Sequence, residues 1–469
     1  MKPTDNASIN TIRVLSAEAI NKSNSGHPGL PMGAAPIAHT LFSRHYTMNP
    51  ADLGWDNRDR FVLSAGHGSM LLYAMLHIYG MGVSMDDIKN FRQWGAKTPG
   101  HPEHGHTPGV ETTTGPLGMG VANAVGMAMA EAHLAAVFNK PGYPIVDHYT
   151  YVMTGDGCLM EGISAEASSL AGTLKLGKLI LLYDKNNITI EGDTDTAFTE
   201  DVAKRYEAYG WQVLTVDDAN TDVDAIDRAI AEAKKETEKP SMIICNTTIG
   251  YGCAPVAGTA GCHGSPIGEE NLKVLRETLG VTEAPFTVSQ EVYDAAKEQT
   301  DRSAAAEETW KKMFAEYAEK YPEMAKLYDQ YMSKVDTAVF DEEFYRFDGA
   351  MATRQSSGTV LNRLAAKVPQ LMGGSADLAP SNNSLMKERE YFSADNYAGS
   401  NIHFGIREFA MSAIANGMYL HGGVIPYAAT FFVFSDYLKH GIRLSALMKL
   451  PTIYIMTHDS IGVGEDGPT

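Results

Sequence analysis

Residue types that do chemistry recur in this chain beside residues that bend it. Gly155-Asp156-Gly157 closes one apolar run and Asp184-Lys185-Asn186-Asn187 closes the next, with 186 − 156 = 30 positions between Asp156 and Asn186. A carboxylate and an amide oxygen are hard donors. With a loop carbonyl at Ile188 and two diphosphate oxygens they make an octahedral Mg²⁺ site, which Ca²⁺ or another divalent ion could also fill. Taken alone, Gly-Asp-Gly reads as a tight turn; the Asn at the end of the next run favours the cation. His27, His67, His101 and His263 each adjoin Gly or Pro in loop-like surroundings, and imidazole, neutral or charged, can move protons near pH 7. Seen singly, such a histidine is more often structural. Glu408 precedes Phe409, Ala410, Ala413, Ile414, Gly417 and Met418, which with Ile406 recur at helical spacing. It falls in a first helical turn, where an acid also complements the helix dipole. Arg354 offers paired donors to phosphate, although an isolated Arg defaults to a surface ion pair. Phe431, Phe434 and Tyr437 stand three apart, on one helical face. Two motifs are decoys. Gly462-Val463-Gly464-Glu465-Asp466-Gly467 fits a dinucleotide fingerprint but puts acids where pyrophosphate would lie. His458-Asp459-Ser460 is consecutive and cannot align as a catalytic triad.

The elements that must position these groups follow from short apolar runs alternating with helical ones. The run Tyr149 to Ile188 reads as a βαβ unit, its helix placing Met160, Ile163, Ala167, Leu170 and Ala171 on one face. If its two strands are neighbours they lie about 4.8 Å apart, so Asp156 and Asn186 can reach one cation. Leu179–Tyr183, Met242–Cys245 and Thr452–Met456 continue the alternation, which predicts an α/β fold with parallel sheets flanked by helices. Glycine is absent from Val281 to Asp348, and Ser289–Lys297 and Ser303–Met332 read as helices with a break at Pro322. We expect a domain at 1–325 including these connecting helices, and another at 326–469. The helices could equally be the last of the first domain.

The 469 residues, 44% of them apolar, are enough for about three domains at ~150 residues each. With 38 basic and 57 acidic side chains the net charge is −19, which argues against nucleic acid as a partner. Cys158, Cys245, Cys253 and Cys262 form no C-x-x-C pair, so a reducing, cytoplasmic setting is expected. The most apolar stretch, residues 410–434, is broken by Asn416, His421 and Pro426, and no membrane contact is expected.

Gly-Asp-Gly followed by Asn resembles the cofactor motif of thiamine diphosphate enzymes. Together with Ser25-Gly26-His27-Pro28-Gly29, Ser64-Ala65-Gly66-His67-Gly68-Ser69, Pro99-Gly100-His101-Pro102-Glu103 and the run His458 to Thr469, it is similar to the transketolase family across the whole chain. That resemblance implies two thiamine diphosphate-binding type domains and reversible transfer of a two-carbon ketol group from a ketose phosphate such as xylulose 5-phosphate to an aldose phosphate such as ribose 5-phosphate, in the pentose phosphate pathway. It implies a homodimer with active sites at the subunit interface. It gives the metal to Asp156, Asn186 and Ile188. The cofactor goes to His67, Gly115, Leu117, Gly157, Glu161, Asn186, His263, Asp377, Glu408, Phe431, Phe434 and Tyr437. Within that set Glu408 meets the aminopyrimidine, Phe434 stacks on it, and Leu117 wedges the cofactor into a bent form. Catalysis falls to Glu408, His263, His101 and His27, and sugar phosphates to His27, His101, Arg354, Ser381, His458 and Asp466. The family continues beyond the motif at which this chain stops, so the second domain is expected to be incomplete at its C-terminus. A catalytically silent fragment that binds cofactor or a complementing chain is the alternative, and within enzymes a synthase of deoxyxylulose phosphate or dihydroxyacetone.

Overall fold

A computed structural model describes residues 3–462, 467 and 469. Two compact units divide the chain, one formed by residues 1–121 and 148–309 and the other by residues 122–147 and 310–469. Both are discontinuous, because residues 122–147 join the later part of the chain.

The first unit is built on the strands β1 (Arg60–Leu63), β2 (Thr150–Gly155), β3 (Leu179–Lys185), β6 (Gln212–Val216) and β7 (Ser241–Asn246), with a small antiparallel pair, β4 (Ile188–Thr189) and β5 (Gly192–Asp193), after β3. Its sheet runs β1-β2-β3-β7-β6, parallel throughout. The side chains of β1 and β2 are buried along their whole length, which explains why these strands read as continuous apolar runs: a sheet covered on both faces has no wet side to alternate with. Phe42, Tyr46, Phe61 and Tyr79 interlock edge to face or tilted in the core on one side. Each such side chain contributes about 1.5–3 kcal/mol by leaving water.

The second unit carries β8 (Leu371–Ser375), β9 (Tyr391–Phe392), β10 (Asn401–His403), β11 (Ile425–Phe431) and β12 (Ile453–Thr457), again all parallel, in the order β12-β11-β8-β10-β9. Both sheets therefore have the expected parallel, helix-flanked form. Helix Glu408–His421 starts at Glu408.

The structure corrects several local expectations. Ser289–Lys297 and the stretch from Ser303 belong to one helix, Gln290–Lys320, since nothing between Lys297 and Ser303 breaks it, and the expected break at Pro322 separates it from a second helix, Pro322–Met332. Met160 is 36% exposed and off the buried face, because the helix breaks at Glu161, whose extended backbone separates Asp156–Met160 from Gly162–Thr173. Ile406 lies before its helix and is 78% exposed. Among the described residues one helix, Met119–Phe138, is long and apolar enough to cross a membrane, and 78% of its most apolar window is buried inside the protein.

Candidate active site

Every strand end that matters in the first unit points the same way. His67 follows β1 in the turn Gly66–Gly68, Asp156 follows β2, and Asn186 follows β3. Strands β2 and β3 are neighbours, with Gly155 opposite Asp184. The carboxyl edge of a parallel sheet is where backbone N–H groups and helix starts collect, and ligands bind there. Asp156 is buried; its Oδ2 accepts the Asn187 N–H at 3.0 Å and the Asn186 N–H at 3.3 Å, and Tyr183 donates its hydroxyl to Oδ1. Asn186 donates Nδ2 to Asp184 at 2.9 Å and accepts the Ile188 N–H on Oδ1 at 3.0 Å. Asn187 turns the chain with φ 59°.

Burial pushes the Asp156 carboxyl up from the usual range. Asp184, fully buried beside it, is pushed up to about 7, first by burial and also by the Asp156 charge. Two buried carboxylates held by neutral donors are short of positive charge, which is the electrostatic setting that suits a divalent cation. Among the described residues no cluster of three His, Cys, Asp or Glu side chains could hold a metal. The set Asp156, Asn186 and Ile188 contains only one such side chain; its other oxygens are those of an amide and a backbone carbonyl.

The four histidines converge. The ring of His67 stacks on His263 at 5.1 Å, and His27 lies 5.2 Å from His67, 6.0 Å from His263 and 6.3 Å from His101. Burial lowers all four pKa values, with His263 and His101 adding repulsion against His27, which falls to about 4. All four are thus neutral at pH 7, which narrows the expectation that they could be neutral or charged. Nδ1 of His27, Nδ1 of His263 and Oγ1 of Thr114 are buried without a hydrogen-bond partner. A diphosphate, rich in acceptor oxygens, fits the His263 and Thr114 donors left unpaired in this way, and a sugar hydroxyl fits His27. The space is kept open by glycine. A Cβ at Gly66 would lie 2.6 Å from the Gly115 nitrogen, one at Gly115 would lie 3.2 Å from the His101 ring, and one at Gly157 would touch Leu117 at 3.0 Å. Gly115 has φ 141°, a conformation side chains disfavour. Arg92, not anticipated from the sequence, ties two of these loops together by donating to Ser25 Oγ at 3.2 Å and to the Gly100 carbonyl at 3.5 Å. Glu161 is exposed at the start of helix Gly162–Thr173.

In the second unit the same rule holds. Asp377 and Ser381 follow β8, Glu408 follows β10, Phe431 ends β11 and His458 follows β12. Glu408 is buried, and Thr430 donates its hydroxyl to Oε1 at 3.3 Å. His458 sits 3.8 Å from the Phe431 ring and pairs with Arg354 Nη1 at 3.2 Å. Phe431, Phe434 and Tyr437 do not share a helical face: a strand end, a 3-10 turn and the helix Ser435–Leu447 carry one each. Their rings form a chain with spacings of 6.0 and 5.9 Å. Tyr437 is 60% exposed, so the stripe is not core. The Asp377 loop, with φ 62° at Asp377, is held by Ser375, whose Oγ accepts from Leu378 N–H and from Asn382 Nδ2. Asp466 and most of the Gly462–Gly467 decoy lie outside the described residues.

Tyr183, Asp184 and Thr247 were not singled out from the sequence, although Asp184 lies in a quoted motif. Their function is to hold other side chains, and no spacing rule marks that.

Residues 4–336 match the family described as transketolase, thiamine diphosphate binding domain, and residues 349–469 match transketolase, pyrimidine binding domain. The chain is 54% identical to a transketolase of Halalkalibacterium halodurans over 471 aligned positions, covering all of this chain and 70% of that protein. It is 53% identical to a transketolase of Bacillus subtilis, covering 100% of this chain and 71% of the relative. Among solved structures, Leishmania mexicana transketolase superposes with a TM-score of 0.96 at 44% identity, and a Pichia stipitis transketolase complex with sedoheptulose 7-phosphate with a TM-score of 0.95 at 46%. Both comparisons cover 100% of this chain and 70% of the other.

Proposed function

This chain belongs to the transketolase family and is a thiamine diphosphate-dependent transferase, and we propose that it moves a two-carbon ketol group reversibly from xylulose 5-phosphate to ribose 5-phosphate, within the pentose phosphate pathway. One observation carries the reading: the carboxyl edge of each parallel sheet gathers the groups this chemistry needs. Bound thiamine diphosphate supplies the carbon nucleophile and the electron sink.

Asp156, Asn186 and the Ile188 carbonyl would hold Mg²⁺, or Ca²⁺, against the diphosphate. His67 and His263 would donate to its oxygens, and Gly115 and Gly157 leave room for its close approach. Glu408, buried beside Thr430, would hold a proton at its carboxyl opposite the aminopyrimidine. Phe431, Phe434 and Tyr437 would bed that ring, and Asp377 and Leu117 would fix its orientation. His27 and His101, being neutral, can each accept a proton from a sugar hydroxyl and return it. Arg354, Ser381 and His458 would bind the sugar phosphate. Asp466 belongs to the same proposal through the resemblance alone. So does Glu161 of the partner subunit, which would share a proton with Glu408 across a homodimer interface. The four cysteines are buried free thiols, in keeping with a reducing, cytoplasmic setting.

Product analysis tests the function. Given xylulose 5-phosphate and ribose 5-phosphate with thiamine diphosphate and Mg²⁺, the chain should form sedoheptulose 7-phosphate and glyceraldehyde 3-phosphate. Cofactor binding without either product would overturn the assignment of the reaction to this chain.

A further inference from the structure

A carboxamide can serve a cation only through its oxygen, yet its two ends are nearly the same size and shape. An asparagine in a metal site therefore needs something that fixes which end faces inward. At Asn186 two contacts do so. Nδ2 donates to Asp184 Oδ2 at 2.9 Å, and Oδ1 accepts the Ile188 N–H at 3.0 Å. Rotating the amide by half a turn would set its oxygen against a carboxylate and its NH₂ against an N–H. Asp184 makes the stronger selection, because Thr247 already donates to its Oδ1 and leaves Oδ2 as the acceptor for the amide NH₂.

Asp184 is itself fixed. It is fully buried, and Thr247 donates its hydroxyl to Oδ1. Thr247 directly follows the neighbouring strand β7 and donates its own N–H to the Lys185 carbonyl at 3.1 Å. A relay thus runs from the end of β7 through the end of β3 to the metal-facing amide.

We infer that Asp184, anchored by Thr247, is a positioning residue that presents the Asn186 carboxamide oxygen to the divalent cation. This rests on the reading that Asp156 and Asn186 hold the metal. Asn at position 184 can either donate or accept, so it would leave the Asn186 amide free to turn. Exchanging the two residues, Asp184→Asn with Asn186→Asp, keeps the net charge and restores a fixed pair: the new amide donates to one oxygen of the new carboxylate, and the other oxygen, identical to it, faces the cation.

Calorimetric titration of Mg²⁺ into the full chain with thiamine diphosphate present provides the test, with circular dichroism confirming the fold. Losing the partner that orients a ligand typically costs 10–100-fold in metal affinity, so Asp184→Asn should weaken Mg²⁺ by about that factor. The exchanged double variant should recover to within a few-fold of wild type. A role confined to packing would not be rescued in this way. A folded Asp184→Asn variant with wild-type affinity, or a folded double variant no better than the single one, overturns the inference. If Asp184→Asn does not fold, Thr247→Val takes its place; weaker Mg²⁺ binding supports the relay and unchanged binding refutes it. Wild-type cofactor affinity indifferent to EDTA would instead remove the metal assignment, and the relay with it.

Discussion

Burying His27 with the rings of His67, His263 and His101 at 5.2, 6.0 and 6.3 Å makes a proton on it costly, first by burial and then by repulsion from charge on its neighbours. The sign is definite. His27 binds its proton near pH 4 in the fold but near 6.5 when unfolded, so the neutral form's contribution is present above 6.5 and lost as the pH falls toward 4. His133, also lowered to about 4 by burial, acts in the same direction. Asp59, pushed up to about 6, and Asp184, pushed up to about 7, oppose them above their unfolded value of 3.8, but His67, His101 and His263, all lowered, add to the histidine side. The melting temperature should therefore decline between pH 6.5 and 5, and ring-proton NMR shifts of His27 should stay flat above pH 5.5; a cluster histidine titrating near 6.5 would contradict the neutral assignment. Asp156 has the opposite task of staying charged despite burial. Asp156→Ala should abolish metal-dependent binding of thiamine diphosphate, since the Asn186 amide carries no charge to offset the cation. Calorimetry with and without EDTA decides it, and a variant that binds as wild type does would refute the metal role.

Elements place these residues by close backbone approach. Helix Glu408–His421 meets the helix Met119–Phe138 over residues 122–147 of the same unit, where a Cβ at Gly417 would collide with the Asn123 carbonyl and one at Gly126 with the Ile414 carbonyl. A backbone oxygen has no rotamer by which to yield. Gly417→Ala should therefore destabilise the unit by about 1–3 kcal/mol, the usual cost of overpacking, and shift Glu408 at the head of the helix; a melting temperature equal to wild type would show the contact to be looser. Such contacts mark the limit of what the sequence discloses. The βαβ run from Tyr149 to Ile188 was legible because each strand is a buried apolar run and each ends in polar turn residues, which are local signals. The parallel order of both sheets followed from the same alternation. Gln290–Lys320 reads as two helices because charged stretches lack a strong stripe, and Phe431, Phe434 and Tyr437 read as one helical face because three-residue spacing fits a helix even where strand, turn and helix share it. The relay of Thr247, Asp184 and Asn186 was invisible for a different reason: it joins ends of strands that become neighbours only after folding.

At the scale of the whole molecule the question is which edges work together. One carboxyl edge carries Asp156, Asn186 and the histidines, and another carries Glu408, Phe431 and Arg354. On the proposed function neither set is complete among the described residues: the first offers Asp156, Asn186 and the histidines without the Phe431, Phe434 and Tyr437 rings, and the second offers those rings and the buried Glu408 without the proposed metal ligands. If, as proposed, two protomers form a homodimer with the first edge of one against the second edge of the other, the two sets form two equivalent sites related by a two-fold axis. That arrangement makes a quantitative prediction. Homodimers of Asp156→Ala and of Glu408→Gln should each be inactive, one lacking the metal ligand and the other the proton-holding carboxyl in both sites. After subunit exchange in an equal mixture, half the dimers are mixed, and each mixed dimer has one site with both residues intact and one with neither. Activity should return to about a quarter of the wild-type level on that two-fold symmetry. Sedimentation should show dimers throughout. A mixture that stays inactive after exchange, verified by mass spectrometry of tagged subunits, would mean that each site draws both residues from one protomer.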